Sequence, residues 1–196
     1  MKNDIRQLFT DHHGFVTTKT LKQQGFHYKH IQNLVAQQFI SKIKHGIYKW
    51  QQDADNQDEF IEVAQLVPKG VLCLLSAAFY YELTTFVPAQ YQIAIHRKDK
   101  ITLPDYPPIK IFYWSDIAYN LGKQQIVMDN CPITIYDIEK TVCDAIKYRD
   151  KIGMDTCKEI VRNYLDKEDR NLVKLTEYAK KMAISGIVSN FITISI

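Results

Sequence analysis

"FHYKHIQNLVAQQFISKIKHGIYKW", residues 26–50, decides how the first quarter of this chain folds. From Tyr28 to Gln38 the apolar positions follow a helical repeat. At about 100° per residue, Ile31, Leu34 and Val35 gather on one side with Gln38 near them. Lys29, Asn33, Ala36 and Gln37 take the opposite side, flanked by His30 and Gln32. That outer face carries no carboxylate. Amides can pair with base edges, a lysine can hold a phosphate, and a small alanine lets a helix approach a groove closely. Beyond it, "ISKI" and "IYKW" alternate in polarity around "KHG", with Gly46 at the turn. Two short alternating runs about a glycine predict a β-hairpin.

Working back toward the N-terminus, Ile5, Leu8 and Phe9 fall at i, i+3 and i+4, which predicts a short helix over 3–12 stopped by Gly14. Phe15 and Val16 are apolar enough to enter a core. Thr17 or Thr18 is placed to cap a second helix, "TKTLKQQ", ended by Gly25. Three short helices and a basic hairpin describe a winged helix-turn-helix, whose third helix enters the major groove while the wing meets the neighbouring backbone. On that reading Lys22, Lys42, Lys44 and Lys49 hold phosphates, and Lys29, Gln32, Asn33 and Gln37 read bases. His27, Tyr28 and His45 complete the candidate DNA-contacting set. Winged helices also serve as protein-interaction modules. His27 and His30 stand three apart on a helix, but no nearby cysteine or acid completes a tetrahedral metal set.

Charge supports a division of the chain. Residues 1–50 hold eight lysines and arginines against two aspartates, a net of +6, so the overall +3 leaves −3 for residues 51–196. Five of the six histidines also lie in that first quarter. A basic head on a mildly acidic body suggests a nucleic-acid-binding module joined to a different kind of domain.

With 196 residues, of which 46% are hydrophobic, the chain can build one large or two small domains. A mean hydropathy of −0.26 and the absence of a run near 20 apolar residues argue against a membrane span. "MKNDIRQLFTDHHG" does not read as a secretion signal. Cys73, Cys131, Cys143 and Cys157 show no Cys-x-x-Cys spacing and read as reduced thiols of a cytoplasmic protein.

Residues 51–59, "QQDADNQDE", form an expected linker between a domain over 1–50 and a second over 60–196. The second is expected to be mixed α/β, which makes the whole chain α+β. Phe60, Val63, Ala64 and Val67 predict a helix; "VLCLL" is a buried strand or the approach to a helix that Ser76 caps. Strands are expected at 91–97, 109–114, 125–128 and 132–137, and helices toward the C-terminus. Asp137 opens "DIEKTVCDAIKYRDKIG", "TCKE" at 156–159 matches a capping box, and another helix surrounds Leu172 to Met182. The uncharged tail "SGIVSNFITISI" is a final helix or strand that packs on its own domain.

No phosphate loop, nucleophile elbow or His-Glu-x-x-His is present. A restriction-type nuclease needs an acid and then an acid-x-Lys on adjoining strands. Glu139 and Lys140 are instead adjacent on a helix, and with Lys147 they read as a solvated face. No enzyme, cofactor or metal is expected. His96, in a strand, reads as a surface or hydrogen-bonded histidine.

Together the two halves resemble a known family. "KHGIYKW" is similar to the wing of AbiEi-type antitoxins, regulators of type IV toxin–antitoxin operons of abortive infection, a phage defence. That family's wing closes with Arg-Gly-hydrophobic-Tyr, where this chain has His45-Gly46-Ile47-Tyr48. "LLSAAFYYELTTFVPAQYQIAI", with Ser76 opening its helix, resembles the family's helix and central strand. "ITIYDIEKTVCDAIKYRDKIG" resembles its Glu-Lys-Thr helix through Glu139, Lys140, Thr141, Asp144, Tyr148, Arg149 and Gly153. The apolar tail departs from the charged helices usual in the family.

The resemblance implies a transcriptional autorepressor whose winged helix binds inverted repeats of double-stranded DNA in its own promoter. It implies an antitoxin that neutralises a nucleotidyltransferase-like toxin, and leaves open whether the protein dimerises on DNA. Two other readings stand beside it: a protein-interaction module that binds such a toxin without specific DNA recognition, and a nuclease targeted by a winged helix.

Overall fold

The structure is a computed structural model that describes residues 2–51 and 59–195. Of the linker expected at 51–59, residues 52–58 lie outside the described residues. The chain is α+β, and contacts divide it into two compact units. One runs to Pro68 and takes in Thr102–Pro107; the other holds Lys69–Ile101 and Pro108–Ile196. The expected linker places the start of a second domain at residue 60, whereas the contacts assign the helix at 59–66 to the first unit.

In the first unit, α1 (Lys2–Asp11) ends where the Gly14 amide turns back 2.7 Å to the Phe9 carbonyl. Phe15-Val16 do more than enter the core: Phe15–Thr17 is a strand, β1. Helix α2 (Thr18–Gln23) is capped by the Thr17 hydroxyl, which accepts from the Thr20 amide at 3.1 Å. Helix α3 (Tyr28–Ala36) stops at Gln38, whose φ of 57° is left-handed. The hairpin follows as β2 (Ile40–Lys44) and β3 (Ile47–Trp50), giving an antiparallel sheet in the order β1-β3-β2. Ile5, Phe9, Val16, Leu21, Ile31, Ile40 and Tyr48 form the core under it. Each such side chain contributes roughly 1.5–3 kcal/mol on burial. Helix α4 (Glu59–Leu66) completes the unit.

The second unit is built on a five-stranded mixed sheet in the order β6-β5-β4-β8-β7. "VLCLL" supplies both alternatives in turn: β4 (Val71–Leu72), then α5 (Leu74–Tyr80). Ser76 is therefore not a cap. It is buried inside α5, and its hydroxyl accepts the Gln92 amide at 2.8 Å. Strand β5 (Tyr91–His96) pairs in parallel with β6 (Ile109–Trp114), and α6 (Asp116–Asn120) follows. Strands β7 (Lys123–Met128) and β8 (Cys131–Tyr136) form a hairpin whose Asp129 and Asn130 both have positive φ, the type I′ geometry that suits strand twist.

Helices α7 (Ile138–Lys147), α8 (Arg149–Ile152), α9 (Met154–Asp166), α10 (Leu172–Lys181) and α11 (Ser185–Ser195) complete the unit. The apolar tail is thus a helix, and Val188 packs into the same core as Val142, Ile146, Ile160 and Leu175. "TCKE" forms no capping box: α9 begins at Met154, and Glu159 instead binds Thr84 and Thr85. None of the four cysteines forms a disulfide, and all are buried. Among the described residues no helix is long and apolar enough to cross a membrane.

Candidate nucleic-acid interface

Helix α3 is mounted by one face and open on the other. Ile31 is fully buried against the first unit's core, and Leu34 and Val35 pack beside it. Tyr28, Lys29, Gln32, Asn33, Ala36 and Gln37 are exposed. Among the described residues, the side chains of Lys29, Gln32, Asn33 and Gln37 have no hydrogen-bond or ion-pair partner, so their donors and acceptors face water. His27 is the N-cap residue, exposed, with its ring 5.9 Å from that of His30. From His12 to Gln51 the chain has no aspartate or glutamate. No carboxylate of its own therefore neutralises this stretch of helix and hairpin.

Helix α2 adds Lys19 and Lys22, both exposed one turn apart; Lys19 was not singled out by the sequence pattern. At the hairpin, Lys42 and His45 are exposed. The turn needs Gly46, with φ +79°, and its carbonyl accepts the Thr18 amide at 2.8 Å, which ties the hairpin to the start of α2.

Two of the four expected phosphate-holding lysines are engaged elsewhere. The Lys49 ammonium lies 2.7 Å from a Glu62 carboxylate oxygen, with the two side chains 14% and 7% exposed. It also sits 5.5 Å from the Phe15 ring. Lys44 donates to the Leu66 carbonyl at 2.7 Å, and partial burial lowers its pKa. Lys22, Lys29 and Lys42 remain as the open cations of the expected set, and the His45 imidazole is exposed as well.

The second motif, on α7, is buried, and this overturns the expected solvated face. Only Lys147 of that trio is exposed; Glu139 and Lys140 are 3% and 0% exposed. Asp137 caps the helix by accepting the Lys140 amide at 2.9 Å, and Thr141 donates to the Asp137 carbonyl at 2.9 Å. The Lys140 ammonium contacts both Asp144 oxygens, at 2.6 and 2.7 Å. The Trp114 and Tyr136 rings flank it, with centroids at 4.1 and 4.5 Å.

Burial pushes the Asp144 carboxyl up to about 6, against the pull of Lys140. Glu139 is held by Lys174 at 2.9 Å, and Arg149 donates to the Ile146 carbonyl at 3.1 Å. Burial together with Asp137, which accepts its hydroxyl at 2.9 Å, raises Tyr178 to about 12. These groups satisfy one another inside the unit, so the motif builds a core rather than a contact surface. His96 is hydrogen-bonded, to Asp116 at 2.8 Å. Among the described residues no group of three or more His, Cys, Asp or Glu side chains is placed to hold a metal ion.

No protein-family model matches the chain, and no curated protein matches it. A solved structure that it resembles is the crystal structure of the RV2827C protein from Mycobacterium tuberculosis, with a TM-score of 0.54 at 12% sequence identity. The match covers 96% of this chain and 79% of that one. At such identity the likeness shows a shared fold.

Proposed function

We propose that residues 1–50 are a winged helix-turn-helix and that the protein is a DNA-binding transcriptional repressor of the AbiEi antitoxin type. One observation carries the DNA-binding part. Helix α3 and its C-cap residue Gln37 expose a lysine and three amides, all without partners among the described residues, on an acid-free stretch whose opposite face is locked in a core. The element order α1-β1-α2-α3-β2-β3 and the β1-β3-β2 sheet support the winged-helix assignment. Lys22, Lys42 and His45 would hold the duplex backbone while α3 reads bases.

The antitoxin part rests on the sequence resemblance alone. Because Glu139, Lys140, Thr141 and Asp144 are buried, recognition of a nucleotidyltransferase-like toxin would fall to other, exposed residues.

Fluorescence anisotropy on the protein's own upstream duplex and on a scrambled one, across a salt series, tests the DNA reading. Binding should fall steeply with salt, with a log–log slope of about −0.9 for each phosphate contacted. Lys42→Ala should weaken both duplexes alike and lower that slope by about one. No binding to either duplex at low salt would sink the reading and leave a protein-interaction module.

A further inference from the structure

We infer that the base pairs facing α3 are A·T pairs, read in the major groove by Gln32 and Asn33 on adenine and by Tyr28 on a thymine methyl. This rests on the DNA-binding reading above and specifies its ligand. The argument is one of chemical inventory. Each base edge has preferred partners: arginine or lysine for guanine, carboxylates for the cytosine amino group, asparagine or glutamine for adenine, and apolar contact for the thymine methyl. Helix α3 has no arginine and no acid, and no arginine occurs between Arg6 and Arg97. On α3 only Lys29 is a preferred partner for guanine, and no preferred partner for cytosine is present. A G·C pair would therefore meet a preferred partner on one base at most.

For A·T the inventory is full. Gln32 and Asn33 are exposed, adjacent and without partners among the described residues. An amide can accept from adenine N6 while donating to N7, a bidentate match no other base edge offers. Tyr28 is 64% exposed at the first position of the helix, and the helix start is the part that reaches base edges in this docking geometry. Tyr28 and Gln32 form one i,i+4 ridge, and Lys29 and Asn33 form the neighbouring one. His30, at the far edge of the exposed arc, lies against His27 and leaves these two ridges clear.

The test is a competition by anisotropy with the full-length protein. Two duplexes share flanks and length, one with a randomised A·T core and one with a randomised G·C core. The A·T core should compete roughly tenfold better, the scale of one bidentate contact. Affinity for A·T tracts can also come from a narrow minor groove. Major-groove analogues separate the two sources. In the preferred duplex, 7-deazaadenine removes the N7 acceptor and deoxyuridine removes the thymine methyl; each should weaken binding several-fold.

The 7-deazaadenine effect should shrink in Gln32→Ala and in Asn33→Ala and vanish in the double variant, and the deoxyuridine effect should vanish in Tyr28→Ala, with unchanged circular dichroism. Equal affinity for both cores with a steep salt slope would overturn the A·T assignment while DNA binding stands. An A·T preference indifferent to both analogues would overturn direct reading by α3. No binding to either core would overturn the DNA reading itself.

Discussion

Lys140 shows what a buried charge demands. Its ammonium is fully enclosed, and among the described residues the two Asp144 oxygens and two aromatic rings replace its water. Space is equally strict: a Cβ added at Gly122, where φ is +72°, would come within 2.6 Å of the Lys140 Cβ. Removing one partner of such a pair leaves an uncompensated charge and costs about 3–5 kcal/mol, whereas replacing both by apolar groups is close to neutral. Lys140→Met should therefore lower unfolding stability by about 3 kcal/mol, and Lys140→Met with Asp144→Leu should recover most of that loss. Urea unfolding decides the point. A double variant as unstable as the single one would mean that the pair is not the source of the cost.

The same residues mark what the sequence hid. Charged side chains are rarely fully buried, so adjacent Glu139 and Lys140 read as surface. Asp144 lies one turn along α7, but Lys174, Trp114 and Tyr136 join these residues only once the sheet and α10 are assembled. By contrast, the exposed face of α3 was legible because helical periodicity alone separates Ile31, Leu34 and Val35 from Lys29, Asn33 and Gln37.

At the scale of elements, the hairpin divides its lysines between two duties. Lys42 is exposed, while Lys49 is sealed against Glu62 of α4. The alternation of "IYKW" located the strand but could not name a partner 13 residues along the chain. Lys49→Ala should cost about 3 kcal/mol of stability by leaving Glu62 buried without its cation. Lys42→Ala should change stability by less than about 0.5 kcal/mol and act only on DNA affinity. Urea unfolding paired with anisotropy separates the two effects. Equal stability losses would erase the division.

Helix α9 gives a second case, because its capping motif was real in sequence and unused in structure. Glu159 is instead the acceptor for the Thr85 amide at 2.9 Å and for the hydroxyls of Thr84 and Thr85. Those donors hold its carboxyl below the usual value of 4.5. A depressed carboxyl pKa contributes stability above the unfolded value and loses it as pH falls through the folded one. The stability difference between wild type and Glu159→Gln should be about 1 kcal/mol near neutral pH. It should shrink as pH is lowered through and below the ordinary carboxyl value of 4.5. A difference that stays constant from neutral pH to below that value would show that ionisation of Glu159 is not what anchors the segment.

For the whole molecule, charge and burial separate the two units by chemistry. Residues 12–51 hold no acid, and their open cations and amides sit on α2, α3 and the hairpin. The second unit spends its most unusual charged groups internally, on Lys140, Asp144, Glu139 and Lys174. If the first unit carries the duplex, DNA should slow amide hydrogen exchange in residues 19–37 and at the 42–46 turn. Buried backbone in 139–146 exchanges slowly with or without DNA, since exchange there needs sub-global opening. Residues 154–166, on α9, should keep their free-protein rates. Raised salt should release the protection in 19–46 together with binding, because counterion release drives both. Protection confined to 154–195 would move the duplex to the second unit and leave the exposed face of α3 for a protein partner.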